Sequence, residues 1–279
     1  MFDRIVVGFD GSPTSRCAVD WAAQEARVRR ASLEIAAALE EPWAGPDSVL
    51  PTAATRSIHA ISRADLETEL DRIATHDPSL EVAGVTGQGS PAHLLRTRGR
   101  RADLIVVGTL GRPPAMPHEL GATARALARR ATAPVLVVPP HVRAVPPARV
   151  FATVDGSSRD ADVLDAATRE ADLFGAELVL LHCSDSDETL EEATRILDAA
   201  KCVARPSARA SLSTCHETQP LAAALAEGAD HRTLAVVGQH RSTALTSTLF
   251  GSSAVDLVRA AALPVLVVPH SSKPSNSRA

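Results

Sequence analysis

The sequence predicts an α/β fold of two tandem doubly wound domains, each a five-stranded parallel sheet with helices on both faces. The 279 residues are about twice a typical domain length. Short apolar runs alternate with helical patterns, which is typical of a parallel sheet covered on both faces. In addition, one segment of 36 residues recurs without a gap in the second half of the chain.

The repeat relates residues 104–139 to residues 234–269. Both copies contain Val-Val-Gly, a second glycine thirteen residues after the first, and Pro-Val-Leu-Val-Val-Pro starting 26 residues after the first glycine. Earlier in each half a β-rich run ends in Asp-Gly-Ser, at Asp10 and at Asp155. We therefore infer a tandem duplication. The expected divisions are domains at 1–140 and 148–270, a proline-containing linker at 141–147 and a disordered tail at 271–279.

Local signals predict each element of the first half. A β-rich run indicates a strand at 4–9, and Ser12-Pro13 supplies an N-cap and an N1 proline for a helix to about Ala31. Along one side of that helix we expect a core-facing stripe of Cys17, Trp21 and Val28. The other predictions are strands at 33–39, 80–86, 104–107 and 135–138, helices at 57–76, 91–100 and 121–131, and an irregular Pro/Gly stretch to about 56. The second half repeats this order with a shorter middle.

The composition excludes several classes of protein. Lys and Arg total 29 against 33 Asp and Glu, a net charge of −4, so we expect no nucleic-acid partner. No apolar run approaches the ~18 residues of a membrane span, and we expect no membrane partner. The four cysteines form no Cys-x-x-Cys pair and no export signal is evident, so we expect reduced thiols in a cytoplasmic protein.

Two motifs of each half fall at the carboxyl ends of predicted strands, where open α/β sheets bind ligands. In the first half Asp10 follows the first strand and Gly108 follows the fourth. A glycine loop that leads into a helix start at Gly121 offers backbone N–H groups and the positive end of a helix dipole, which suits phosphate. Each motif also has a purely structural interpretation, an Asx-turn for the aspartate and tight turns for the glycines.

Taken together, Asp-Gly-Ser after the first strand, Val-Val-Gly-x-x-Gly, the later glycine and Pro-Val-Leu-Val-Val-Pro resemble the universal stress protein family. The resemblance covers essentially the whole chain, twice. It implies a five-stranded parallel sheet and, in one subclass, ATP bound by Gly-x2-Gly-x9-Gly followed by Ser or Thr. It also implies adenine and ribose at the first-strand aspartate and at the backbone ending the second strand, with phosphates on the glycine loop and the helix start.

Neither half matches that pattern fully. In the first half Ala122 stands where the family has a hydroxyl, Thr123 follows, and Pro113-Pro114 removes two N–H donors from the loop. In the second half Arg241 replaces the second glycine, where it would fill the phosphate space or pair with a phosphate. The resemblance implies binding residues in the first half at Asp10, Gly11, Leu39, Gly108, Gly111, Gly121, Ala122 and Thr123. In the second half it implies Asp155, Gly156, Cys183, Gly238, Arg241, Gly251, Ser252 and Ser253.

The resulting expectation is an adenine-nucleotide (ATP)-binding regulatory protein of the stress response, with the first half as the favoured site. Magnesium is a further candidate cofactor. The alternative is a degenerate scaffold that binds no nucleotide and acts through protein–protein contacts. Only two lysines occur and neither lies near a glycine loop, which excludes a P-loop NTPase. No dedicated catalytic constellation is evident, so we expect at most slow ATP hydrolysis.

The apolar strand that ends each half predicts how the halves assemble. As the last strand of its sheet it would expose unpaired N–H and C=O groups. We expect Val135–Val138 to pair with Val265–Val268 across a pseudo-two-fold axis within the chain. A homodimer of two such chains is a further candidate assembly.

Overall fold

Strands and helices alternate along the chain in the order that the sequence predicts. The computed structural model describes residues 4–39, 52–111, 120–140, 142–184, 187–207, 210–228, 230–239 and 263–270. The elements of the first half are β1 Arg4–Gly8, α1 Pro13–Arg29, β2 Ser32–Leu39, α2 Thr52–His76, β3 Val82–Gln88, α3 Pro91–Gly99, β4 Leu104–Gly108, α4 Ala122–Arg130 and β5 Val135–Val138. Those of the second half are β6 Arg149–Thr153, α5 Asp160–Phe174, β7 Glu177–Cys183, α6 Leu190–Val203, β8 Leu212–Glu217, α7 Leu221–Gly228, β9 Thr233–Gly238 and β10 Val265–Val268.

The described strands form one ten-stranded sheet in the order β3-β2-β1-β4-β5-β10-β9-β6-β7-β8. Within each half every neighbouring pair is parallel, and β5 and β10 pair antiparallel at the centre. The predicted fold class, two five-stranded parallel sheets, is confirmed. The division into domains at residues 140 and 148 stays a prediction, and residues 142–147 between them contain no helix or strand.

The central strand pair is the one that the repeat predicts. Leu136 lies opposite Leu266, and Val137 opposite Val265. Because Leu136 and Leu266 are equivalent positions of the repeat, the pseudo-two-fold axis passes between them. All four side chains are buried. The prediction that Val135–Val138 pairs with Val265–Val268 is confirmed.

Helices cover both faces of the sheet. Helices α1, α2, α5 and α6 pack against one face, and α3, α4 and α7 against the other. Alternate strand residues supply the two cores, so that Ile5 and Val7 belong to the first and Val6 to the second.

Two expectations for the helices are wrong. Trp21 is buried, but Val28 is 38% exposed and does not continue the core stripe. Val28 lies near the end of α1, where Arg30 in the left-handed region (φ 55°) turns the chain back towards β2. The irregular stretch was expected to continue to about residue 56, whereas α2 begins at Thr52. Pro51 and the two alanines after Thr52 are typical of a helix start, a signal that the preceding Pro/Gly-rich segment obscures.

A buried charge cluster joins the halves a second time. Arg29 of α1 forms ion pairs with Glu25 of its own helix, at 2.9 Å, and with Glu170 of α5. Glu25 and Glu170 are equivalent positions of the two halves, 2% and 5% exposed respectively. Two buried carboxyl groups therefore share one guanidinium. Burial first, and then the charge of Glu170, raise the pKa of Glu25 to about 8.

We expect Leu136→Ala and Leu266→Ala each to lower the free energy of unfolding by about 2–5 kcal/mol, because each leaves a cavity at the buried junction. Urea unfolding measures the loss, and the double variant should lose less than the sum of the two since the leucines oppose each other. Ile61→Ala, at a 56% exposed position, is the control and should change stability by at most about 0.5 kcal/mol. Losses as small as the control at both leucines would contradict a junction that supports the fold.

Glu25 should make stability depend on pH. Its pKa of about 8 in the folded chain lies above the ordinary value of 4.5, so its protonated form favours folding. The contribution is complete below the ordinary value and is lost as pH rises through about 8. Glu25→Gln, which keeps the side chain neutral, should remove this decline in urea unfolding measured from about pH 5 to pH 9. Glu67→Gln, an exposed carboxyl on α2, should leave the decline intact. An unchanged pH profile in Glu25→Gln would argue against a neutral Glu25.

Candidate functional site

The first half brings its two motifs together where the strand order reverses. Strand β1 lies between β2 and β4, so the connections from β1 and β4 leave in opposite directions and open a crevice at the carboxyl edge. Asp10 follows β1 and Gly108 ends the adjacent β4. The topology thus places both motifs at one end of the sheet.

The Asp-Gly-Ser motif forms a turn that starts α1. Oδ1 of Asp10 accepts a hydrogen bond from the backbone N–H of Ser12 at 2.9 Å, an Asx-turn. Gly11 has φ +77°, which favours glycine, and Ser12 caps the helix by accepting from the N–H of Ser15 at 3.2 Å. One carboxylate oxygen of Asp10 therefore holds the turn, and the other, Oδ2, lies next to Gly111.

The glycines of the loop are required by contacts within the protein. A Cβ on Gly108 would lie 2.8 Å from Cγ2 of Thr14 and 3.1 Å from its carbonyl oxygen, so this glycine lets α1 pack against β4. A Cβ on Gly111 would lie 2.8 Å from Oδ2 of Asp10, and one on Gly121 3.0 Å from the carbonyl oxygen of Thr109. Contacts within the protein therefore account for the absence of side chains at these positions. The structure assigns it to helix packing at Gly108 and to contact with the first-strand aspartate at Gly111.

Helix α4 begins at the crevice without a side-chain cap. Gly121 is its N-cap, and its own N–H donates to the carbonyl oxygen of Thr109 at 2.8 Å. The helical hydrogen bonds begin with the N–H of Arg125, which donates to the carbonyl oxygen of Gly121 at 3.0 Å. The N–H groups of Ala122 and Thr123 precede it, and they stand at the positive end of the helix dipole.

A cavity of about 420 Å³ joins these groups. Its polar lining includes the motif residues Asp10, Gly108, Gly111, Gly121, Ala122 and Thr123, together with Ser15. Its apolar walls come from Ala36–Ala38 at the end of β2 and from Leu94 and Leu95 of α3. A pocket of this size with apolar walls and a few polar groups is typical of small-molecule sites.

Two of the expected residues do not line the cavity. Leu39 is buried, and its carbonyl oxygen accepts from the N–H of Gly89 at 3.3 Å. The wall at this point is formed by Ala36–Ala38, one to three residues earlier, because β2 passes the crevice before it ends. Gly11 belongs to the turn rather than to the wall.

One wall of the cavity was missed by sequence reasoning. Ile58, Ser62 and Asp65 of α2 line it and follow one another at helical spacing on one side of the helix. The spacing is visible in the sequence, but nothing in it indicates that α2 lies over the strand ends. Ser15 was likewise missed, since it occurs in no part of the family pattern.

The second half repeats the Asx-turn of the first. Oδ1 of Asp155 accepts from the N–H of Ser157 at 2.9 Å, and Gly156 has φ +78°.

Cys183 ends β7 beside Glu217, and burial raises the pKa of its thiol to about 12, so the thiol is protonated at neutral pH. The strand registers make Cys183 equivalent to Ala38, not to Leu39.

The remaining second-half residues are only partly described. Gly238 ends β9, and a Cβ on it would be in ordinary contact, 3.4 Å from Val163 Cγ2. The other expected residues, Arg241, Gly251, Ser252 and Ser253, lie outside the described residues, as do Pro113 and Pro114 of the first half. The part of the chain that the structure describes holds no group of three or more His, Cys, Asp and Glu side chains suited to a metal ion.

Fold and site together define a tandem α/β protein with a small-molecule cavity at the carboxyl edge of a parallel sheet. A family model described as "Universal stress protein family" matches residues 1–139. A universal stress protein of Mycolicibacterium smegmatis is 30% identical over 284 residues, which cover 95% of this chain and 96% of that relative. The chain belongs to the universal stress protein family.

Some relatives match over less of their length. The universal stress protein Rv1996 of Mycobacterium tuberculosis is 32% identical over 197 residues, so the match spans 62% of that relative and 64% of this chain. Among solved structures, a universal stress protein from Archaeoglobus fulgidus covers 96% of both chains with a TM-score of 0.74 and 14% identity, a likeness of fold. Among the described residues, no helix is both long and apolar enough to cross a membrane.

Two glycine substitutions should separate packing from site geometry. Gly108→Ala forces Thr14 and its helix away and should lower the free energy of unfolding by about 1–3 kcal/mol. Among the described residues Gly111→Ala meets only the end of the Asp10 side chain, so it should cost less than about 1 kcal/mol while displacing that carboxylate. Urea unfolding compares the two. Equal losses of unfolding free energy in the two variants would mean that Gly111 also supports the fold.

Proposed function

We propose that the chain is a regulatory protein of the stress response that binds an adenine nucleotide, ATP in the first instance, in the cavity of its first half. The observation that carries the proposal is the meeting of Asp10, Gly108, Gly111 and the start of α4 around one cavity of about 420 Å³. The family resemblance assigns nucleotide to these same positions.

The cavity suits the parts of such a ligand. Ala36–Ala38, Leu94 and Leu95 offer an apolar surface to a flat base. Oδ2 of Asp10, which lies beside Gly111 at the cavity, suits ribose hydroxyls as an acceptor. The N–H groups of Ala122 and Thr123 at the start of α4 suit the phosphates. Mg²⁺ stays a predicted companion of the phosphates, which supply the oxygen ligands it prefers.

A scaffold without nucleotide is the second candidate, and the glycine contacts favour it. Gly108 and Gly121 are required by Thr14 and by the carbonyl oxygen of Thr109 whether or not a ligand binds. In that case these glycines would serve the packing of the protein and not the binding of a ligand. Denaturing the purified protein and assaying the released nucleotide separates the candidates. A stoichiometric adenine nucleotide supports the binder, whereas none, together with no thermal shift on adding ATP, supports the scaffold.

Asp10→Asn tests the first-half assignment. The amide oxygen still accepts from Ser12, so the turn is kept, while the charge offered to the ribose is removed. We expect ATP affinity, measured by calorimetry, to fall by about tenfold or more, as for a hydrogen bond to a charged group. Asp155→Asn, the equivalent change in the second half, is the control and should leave this affinity unchanged. Equal losses from both variants would contradict the assignment to the first half.

A further inference from the structure

The two halves differ at one position beside the first-strand aspartate. Ser15 follows Asp10 by five residues, and Asp160 follows Asp155 by five residues. The registers of β1 with β2 and of β6 with β7 make these positions equivalent. A neutral hydroxyl in the first half is thus replaced by a carboxyl in the second.

The replacement changes which group occupies the backbone donors of the turn. In the second half, Oδ1 of Asp160 accepts from the N–H of Asp155 at 3.2 Å, and Oδ2 accepts from the N–H of Gly156 at 2.8 Å. In the first half, Oγ of Ser15 accepts from the N–H of Asp10 at 3.4 Å. The second half therefore places an anion of its own on two N–H groups at the strand end.

The replacement also changes the charge at the strand end. Ser15 lines the cavity of the first half and is 4% exposed. At the equivalent place the second half has two neighbouring carboxyl groups, Asp155 and Asp160. Burial, together with the charge of Asp155 and a side-chain hydrogen bond with it, raises the pKa of Asp160 to about 6, which is still below neutral pH, so Asp160 is largely ionised there. An anion beside this strand end therefore meets a carboxylate at the position where the first half has a hydroxyl.

We propose that the residue at this position, Ser15 in one half and Asp160 in the other, determines which half accepts an anionic nucleotide. The hydroxyl leaves the first site open to an anion, and the carboxylate makes the second site reject one. This inference rests on the proposed function, because it takes the first cavity as a nucleotide site. It assigns a specificity-determining role to a position outside the family pattern.

A reciprocal exchange tests the proposal with the chain's own residues. Ser15→Asp should weaken ATP binding by about tenfold or more, because a carboxylate on the wall of the cavity repels a bound anion. Ser15→Asn, of similar size and neutral, should weaken it less. Adenosine, which lacks the phosphates, should be affected far less than ATP by Ser15→Asp.

The opposite change should open the second half. Asp160→Ser should raise the ATP stoichiometry in calorimetry from one to two per chain, and in the Asp10→Asn background the remaining site should be the new one. Far-ultraviolet circular dichroism and thermal unfolding check that each variant is folded, and the Asp160→Ser result stands even where Ser15→Asp does not fold.

The outcomes separate this inference from the proposed function. Gain of a second site in Asp160→Ser supports it. ATP bound once per chain in both the wild type and Asp160→Ser overturns it and leaves the proposed function intact, as do equal losses in Ser15→Asp and Ser15→Asn. Absence of ATP and adenosine binding in the wild type and every variant overturns the proposed function and this inference together.

Discussion

The antiparallel pairing of β5 with β10 is the constraint on which the rest of the structure depends. Each half ends its own sheet in an apolar strand, Val135–Val138 or Val265–Val268, whose free edge would expose backbone donors and acceptors. Pairing the two strands satisfies both edges at once and places Leu136 against Leu266 on the axis. The sheet then runs unbroken through both halves, and the helices of each half are fixed relative to those of the other.

The second contact between the halves differs in kind from the first. Strand pairing is apolar and backbone-based, so it is largely indifferent to pH, whereas the cluster of Glu25, Arg29 and Glu170 is destabilised as Glu25 loses its proton around its pKa of about 8. Oε2 of Glu170 has no hydrogen-bond partner among the described residues. Joining two helices through two carboxyl groups and one guanidinium costs desolvation free energy, because the interactions among these groups must replace those that each group made with water. The apolar junction of β5 with β10 stabilises the fold and so offsets this cost.

Sequence alone predicts the fold and the centre of the site. The repeat predicts the strand pairing, and the topology of parallel sheets predicts that Asp10 and Gly108 lie at the same edge. It does not show which residues of a strand face a crevice, because that depends on how far β2 extends past its neighbours, hence Ala38 rather than Leu39. Nor does it show that α2 covers the cavity, since helical spacing in Ile58, Ser62 and Asp65 is equally compatible with an exposed face.

Covalent linkage of the two copies has a consequence for how they evolve. In a symmetric assembly of identical chains every substitution appears twice, so a change that abolishes one site abolishes its twin. Here Asp160 occupies the position equivalent to Ser15, and Thr153 the position equivalent to Gly8. The central strands keep the two halves symmetric, whereas the residues at the strand ends differ between the halves. One copy is free to drift or to acquire a different ligand while the other is kept under selection.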